Sequence, residues 1–317
     1  MIGDFIYVSI VGAGPAGCTA GIFLARNGFD VKLYEQDTER VKPCGGALSS
    51  RTIMEFKEFL KDIPFYEIKN VTFDLEGEIF DLKFNKKVGC VVDRFIFDKN
   101  LRNIAKSEGV KIIKKKVKKF PKNVICVDAR GYKKSTDPAI AIRGFCKIKR
   151  QNMFFGFRRK IVKFGYFWIF PISDSLANVG VGGKIRSFNT NPLDTFNWFL
   201  KEKKLKASNV SGAPVYYEGK IENLVNGNII KVGESAGLVN PLIGEGIYYG
   251  MKSGKIAANC IVNNEIKNYE KIVKNEFEGE FQKSLFVRSF FVNSPMLISK
   301  IIFNLGIKHI TSKVLGL

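Results

Sequence analysis

The chain has 317 residues, 45% hydrophobic and 26% charged, enough for one large or two medium globular domains with a proper core. Its net charge of +21 attracts polyanions such as nucleic acid, an anionic membrane or an acidic protein, and a lysine-rich or heat-adapted composition explains it equally well. Six scattered cysteines with no CxxC spacing and a single histidine, His309, exclude a disulfide framework and all but exclude a zinc site.

Tyr7–Val11 alternates and ends apolar, as a buried strand does; it begins within ten residues of Met1, so no secretory leader is expected. Next comes Ile10-Val-Gly-Ala-Gly-Pro-Ala-Gly17. Gly12 permits a tight turn, Gly14 lets the backbone approach a pyrophosphate, and Gly17 lets the following helix pack close on the strand. The helix Pro15–Asn27 aims its positive N-terminus at the phosphates, with Pro15 tolerated near its start. Gly28 stops it, Val31–Tyr34 returns as a strand, and Glu35 ends that strand as an acceptor for ribose hydroxyls. A bare GxGxxG is weak; inside a complete strand–helix–strand–acid unit it indicates dinucleotide binding.

The segment Lys42–Leu48 is too glycine-rich for a helix and too apolar for a solvated linker. Val71–Phe84 alternates around Glu76-Gly77-Glu78 and predicts a hairpin. Arg94–Gly109 carries apolar residues at 97, 101, 104 and 105, a helical spacing. Lys111–Val117 and Asn123–Val127 predict short strands, and the lysines at 114–119 suit a solvated edge. From Ala139 to about Tyr217 the pattern is β-rich and aromatic, with a turn at Asp174-Ser175 and a possible helix over Phe188–Lys204. Ile229–Val232 predicts a buried strand, Ile247–Val262 a helix, and 266–317 a lysine-rich helical tail. Scattered cysteines suit a reducing cytosol, and no apolar run reaches the ~20 residues of a membrane span.

The fold class expected is therefore α/β: a Rossmann-like domain (1–70, 85–138 and 219–265) interrupted by a β-rich antiparallel domain (71–84 and 139–218), with a helical C-terminal region (266–317). Gly180-Val-Gly-Gly183 lacks a following helix and acid, so a second nucleotide domain is not expected.

Further motifs make the chain resemble a known family. Arg94-Phe-Ile-Phe-Asp98, Val127–Ser135 and Val232–Ile247 resemble three segments of the p-hydroxybenzoate hydroxylase superfamily of flavoproteins. Within it, Lys42-Pro-Cys-Gly-Gly46, and Tyr166-Phe-Trp-Ile-Phe-Pro171 followed after eight residues by Gly180-Val-Gly182, resemble the geranylgeranyl reductases. These motifs span most of residues 1–262 in the family's order.

The resemblance implies non-covalent FAD. Gly12, Gly14, Ala16 and Gly17 would cradle its pyrophosphate and Glu35 the adenosine ribose. Gly45, Gly46, Ala47, Arg94, Val117, Glu234, Gly244, Gly246 and Ile247 would complete the cofactor site. Glu234 departs from the family's usual Asp, and Ala129-Arg130 alters the turn before Gly131. Tyr166, Trp168 and Phe170 share one strand face and with Pro171 would form an apolar wall, Gly180 and Gly182 leaving room beside it. The same three aromatics also read as plain core. Cys44 could approach the flavin ring and donate a proton, or be an inert thiol.

The implied reaction is saturation of geranylgeranyl double bonds in a free diphosphate or an archaeal-type ether lipid. An external electron donor is expected, a ferredoxin or NAD(P)H, and no metal or nucleic acid. The expected location is cytoplasmic; Ser294–Leu317 suits an interfacial helix on an anionic membrane face, and a dimer contact or core packing explains it almost as well. The rival readings are an aromatic monooxygenase of the same superfamily and a non-catalytic basic flavoprotein.

Overall fold

A computed structural model describes residues 7–40, 42–131, 135–216 and 221–294; His309 and nearly all of the segment Ser294–Leu317 lie outside these. The strands in chain order are β1 (Val8–Val11), β2 (Val31–Glu35), β3 (Ala47–Ser49), β4 (Phe65–Ile68), β5 (Asn70–Leu75), β6 (Glu78–Lys83), β7 (Gly89–Val92) and β8 (Lys111–Lys114). They continue with β9 (Cys126–Asp128), β10 (Ala139–Lys147), β11 (Met153–Phe157), β12 (Gly165–Pro171), β13 (Leu176–Lys184), β14 (Ser208–Val215), β15 (Val225–Asn226) and β16 (Ile229–Lys231). The helices are α1 (Pro15–Arg26), α2 (Ser50–Glu55), α3 (Arg94–Ser107), α4 (Pro192–Glu202), α5 (Ile247–Val262) and α6 (Tyr269–Asn293). The chain divides into two compact units, 1–40 with 95–134 and 216–286, and 41–94 with 135–215 and 287–317.

The first unit is the expected Rossmann-like one. Its sheet runs β15-β16-β9-β1-β2-β8, parallel throughout except for β15. Strand order reverses at β1, because the chain passes from β1 to β2 on one side and later returns with β9 on the other. Ligands of such sheets bind at the carboxyl ends of the strands at this switch point. Helix α1 lies against α5 through small residues: a Cβ on Gly254 would stand 2.4 Å from the Ala16 carbonyl oxygen. The first part of α6 joins this core, with Phe277 and Phe281 edge-on to Tyr249 at 5.1 and 4.9 Å.

The second unit holds a seven-stranded sheet, β14-β10-β13-β12-β11-β5-β6, and a three-stranded sheet, β3-β7-β4. The hairpin β5–β6 turns at Glu76 and Gly77, both with positive φ, and enters the large sheet because β5 pairs parallel with β11. The unit's limits differ from the expected domain limits. Residues 41–70 and 85–94 fold with the β-rich unit, because β3, β4 and β7 pair with one another. One face of the large sheet packs on α4, which Asn191 caps by accepting from the Leu193 N–H at 2.8 Å and which Pro192 opens. Phe167 stacks on Phe199 there at 4.5 Å.

Asp74 ties the end of α4 to β5. Its buried carboxylate accepts from Arg158 at 2.6 and 2.8 Å, from Lys203 at 3.1 Å and from the Gly77 N–H at 2.9 Å. Burial alone would raise its pKa, but these bonds outweigh that and hold it below the ordinary carboxylate value. A depressed folded-state pKa gives stability that is present above the unfolded value of about 3.9 and lost as pH falls through the folded one. Asp74→Asn is expected to cost about 3–5 kcal/mol at pH 7 by stranding Arg158 and Lys203. Urea unfolding should show the gap from the parent narrowing below pH ~4; a gap independent of pH would refute the assignment.

Candidate functional site

In the first unit the loop after β1 has the geometry of a phosphate cradle. Gly12 turns with φ +107, and a Cβ there would stand 2.2 Å from the Ala129 carbonyl oxygen. A Cβ on Gly17 would stand 1.9 Å from the Gly12 carbonyl oxygen, so the helix approaches the strand as closely as glycine allows. Gly14 is different: a Cβ added there meets nothing within 4 Å. That open space lies at the start of α1, whose first N–H groups have no partner within the helix and carry partial positive charge. Glu35 accepts from the Ala13 N–H at 2.8 Å and the Asp37 N–H at 3.1 Å. A carboxylate has about four acceptor positions, so capacity remains for a hydroxyl. Open space, free amides and an acceptor carboxylate fit a dinucleotide. Ala16 packs against α5, its Cβ 3.5 Å from a Cβ built on Gly250.

The second flavin-type segment forms a short 3-10 turn over Gly233–Ala236. Glu234 accepts from the Tyr216 N–H at 3.0 Å, so its longer side chain fastens the returning chain. The altered turn after β9 is closed by Arg130, which grips the Asp128 carboxylate at 2.9 and 2.8 Å. Gly244 has φ +70, Gly246 caps α5 and Ile247 opens it. Val117 falls in irregular chain beyond β8, not in the strand expected to reach it, and Arg94 opens α3 at 8% exposure.

Asn240 was not anticipated. Its side-chain oxygen accepts from the Leu242 and Ile243 N–H groups at 2.9 and 3.3 Å, and its amide donates to Tyr249 Oη and Ser284 Oγ, both at 3.1 Å. Tyr249 Oη donates in turn to Glu280 at 2.5 Å. The loop preceding α5 is thus fixed from α6. Asn-Pro before a glycine-rich turn was an available signal for Asn240; nothing in the tail's pattern marked Glu280.

In the second unit the Cys44 loop lies on the aromatic face. Asn178 joins them: its amide donates to the Cys44 carbonyl at 2.7 Å, while its oxygen accepts from Trp168 Nε1 at 2.9 Å. A Cβ on Gly45 would stand 2.8 Å from the Phe170 ring, and one on Gly46 (φ +78) 2.3 Å from the Val92 carbonyl oxygen. Ala47 pairs with Val91. Trp168, Phe170 and Pro171 are buried and Tyr166 is half-buried. The space beside Gly180 is not vacant: a Cβ there would stand 2.2 Å from Trp168 Cζ2, so the glycine accommodates the indole, with Gly182 near the same ring.

Cys44 is the one cysteine that is not buried, and its Sγ accepts from the Gly46 N–H at 3.4 Å. Burial pushes the Cys90 thiol up to about 12 and those of Cys126, Cys146 and Cys260 to about 11, and raises Cys18 as well. Thiolate is the reactive form. Iodoacetamide on the native protein should therefore label Cys44 first, as read by peptide mass spectrometry; faster labelling at any buried position would contradict this packing. Among the described residues no cluster of His, Cys, Asp or Glu could hold a metal, and no helix is long and apolar enough to cross a membrane.

Residues 7–136 match the family model described as pyridine nucleotide-disulphide oxidoreductase. The chain is 27% identical to digeranylgeranylglycerophospholipid reductase of Methanocaldococcus jannaschii, covering 85% of this chain and 82% of that protein. It is 25% identical to menaquinone reductase of Mycobacterium tuberculosis, covering 84% and 78%. A geranylgeranyl bacteriochlorophyll reductase-like protein from Thermoplasma acidophilum shares the fold, with a TM-score of 0.82 at 22% identity over 93% of this chain and 89% of that one. A flavin-dependent brominase shares it with a TM-score of 0.75 at 19% identity, over 98% and 92%. The chain is therefore an FAD-dependent oxidoreductase, similar over more than four fifths of its length to the geranylgeranyl reductases its motifs resemble.

Proposed function

We propose that the protein saturates carbon–carbon double bonds of geranylgeranyl chains carried by isoprenoid or archaeal-type ether lipids. The observation that carries this reading is the bonding between its two group-specific motifs. Segments 42–46 and 166–182 lie far apart in the chain, yet Asn178 hydrogen-bonds the Cys44 carbonyl and Trp168 together. Such a bond organises an apolar aromatic face around a partly accessible thiol, an arrangement suited to an alkene and a proton donor.

In this reading the N–H groups of Gly14, Ala16 and Gly17 hold the FAD pyrophosphate, and Glu35 accepts from its ribose. The chemistry supplied by reduced FAD is hydride donation to one alkene carbon, which with a proton at the neighbouring carbon breaks the π bond and balances the two-electron reduction. In this reading Cys44 Sγ–H gives that proton. The aromatic residues of β11 and β12 orient the chain and exclude water. Electrons come from a donor outside the chain, and the +21 charge favours an anionic lipid surface.

The test is anaerobic incubation of the dithionite-reduced holoprotein with digeranylgeranylglyceryl phosphate lipid in anionic vesicles, followed by mass spectrometry. Stepwise gain of hydrogen pairs, slowed in Cys44→Ala, is the expected result. No gain with FAD bound and reduced would refute the reading and favour oxygen-dependent chemistry.

A further inference from the structure

One row of side chains crosses the large sheet in register. Phe80 on β6 stands opposite Phe73 on β5, Phe73 opposite Phe155 on β11, Phe155 opposite Trp168 on β12, and Trp168 opposite Gly180 on β13. Gly180 in turn stands opposite Arg143 on β10, and Arg143 opposite Ser211 on β14. Directly paired residues share a face. At about 4.8 Å per strand, the row from Phe73 to Arg143 measures about 19 Å. It is aromatic at one end and cationic at the other.

Arg143 is buried, with 6% of its surface exposed. A guanidinium has five N–H donors, yet among the described residues it makes a single hydrogen bond, from Nη1 to the Asn209 carbonyl at 3.2 Å. Its plane lies over the Phe145 ring, 4.3 Å from the centroid. No carboxylate among the described residues forms an ion pair with it, and burial lowers its pKa against the weaker opposing pull of Asp93 and Cys44. A buried cation that no ion pair compensates is costly to keep. The local backbone is shaped around it. The β10–β14 register slips between Arg143 and Phe145, a Cβ on Gly144 would stand 2.9 Å from the Ala207 Cβ, and Asn209 takes φ +50 to present its carbonyl. Bulges of this kind re-aim side chains and are frequent beside functional sites.

We propose that Arg143 binds the phosphate or diphosphate head of the isoprenoid substrate whose chain lies along this row. This deepens the reading above and rests on it, and it assigns the protein to phosphorylated substrates rather than to neutral polyprenyl quinones. A bidentate charge-assisted contact suits phosphate geometry, whereas a quinone carbonyl leaves the charge uncompensated.

The test is equilibrium binding to the oxidised holoprotein, followed by tryptophan quenching, with geranylgeranyl diphosphate, geranylgeraniol and inorganic diphosphate as ligands. Parental protein is expected to bind the lipid diphosphate at least about tenfold tighter than the alcohol, a ratio that collapses toward one in Arg143→Gln and is partly kept in Arg143→Lys. A parental ratio near one, or a ratio unchanged in Arg143→Gln, overturns the proposal. Inorganic diphosphate competing as well as the lipid overturns it too, because the row would then contribute nothing. Retained FAD absorbance and melting temperature certify the folded variants; should Arg143→Gln fail to fold, the parental ratio and Arg143→Lys decide. Tight, Arg143-dependent binding with no hydrogen gained on reduction would leave the head-group assignment standing and refute only the reductase reading.

Discussion

Gly14→Ala is expected to keep the stability of the FAD-free protein within about 1 kcal/mol while weakening FAD binding about tenfold to a hundredfold. The neighbouring Gly17→Ala should do the reverse damage, costing at least about 3 kcal/mol of folding stability. The contrast follows from what a methyl group meets. At Gly14 it enters open space, at a φ of −80 that alanine adopts freely. Loss of the glycine preference at the N-cap and reduced freedom of the unfolded chain then oppose each other. In the proposed site the space it fills is the one the pyrophosphate takes, and a displaced charged acceptor loses its bond to the amide, about 1.5–3 kcal/mol. At Gly17 the methyl meets the Gly12 carbonyl oxygen at 1.9 Å, and backbone on both sides has no rotamer with which to yield. With about 5–15 kcal/mol of stability in a typical protein, such a loss lowers the melting temperature visibly and removes FAD only as a consequence. Differential scanning fluorimetry without FAD, beside a flavin titration, separates the two effects. Parental FAD affinity in Gly14→Ala would place the pyrophosphate elsewhere.

The sequence was most readable where a single local rule governed each position. The fingerprint loop, the Glu76-Gly77 turn, and helices α1, α3 and α5 follow from glycine placement and apolar period, and they form where expected to within a few residues. Less legible were features set by pairing between distant segments. Nothing local in Phe65–Ile68 or Gly89–Val92 reveals that they flank each other, so residues 41–94 could not be placed in the β-rich unit. The roles of Glu234 and Asn240 depend on partners 18 and up to 44 positions away. A sequence pattern shows that a polar residue is there, not what it holds. Arg143 is the sharpest case: one cation in an aromatic stretch becomes informative only through a register spanning the sheet. Gly180 shows the converse, a correctly noticed glycine whose space is occupied by the Trp168 indole.

Asn178→Leu is expected to cost about 2–6 kcal/mol, the sum of two buried groups left without partners at about 1–3 kcal/mol each. Leucine keeps the branched four-atom shape of asparagine and is the larger of the two, so none of this loss is cavity. Trp168 Nε1 would lose its acceptor at 2.9 Å and the Cys44 carbonyl its donor at 2.7 Å, at a position only 3% exposed. The two bonds can be told apart with Asn178→Asp, whose carboxylate still accepts from the indole but cannot donate to the carbonyl. If docking of the loop depends on the second bond, both variants should alkylate Cys44 faster than the parent, while only Asn178→Leu should shift the tryptophan fluorescence. Iodoacetamide kinetics and emission spectra measure these independently of turnover. Two contacts compete for that role: the close fit of Gly45 on Phe170, and the Val92 N–H donating to the Gly46 carbonyl at 2.9 Å. Parental alkylation rates in both variants, with stability lost, would mean that those contacts hold the loop and that Asn178 serves the indole alone. The thiol's position would then be a property of the small sheet β3-β7-β4, and Gly46→Ala, not Asn178→Leu, would be the substitution that displaces it.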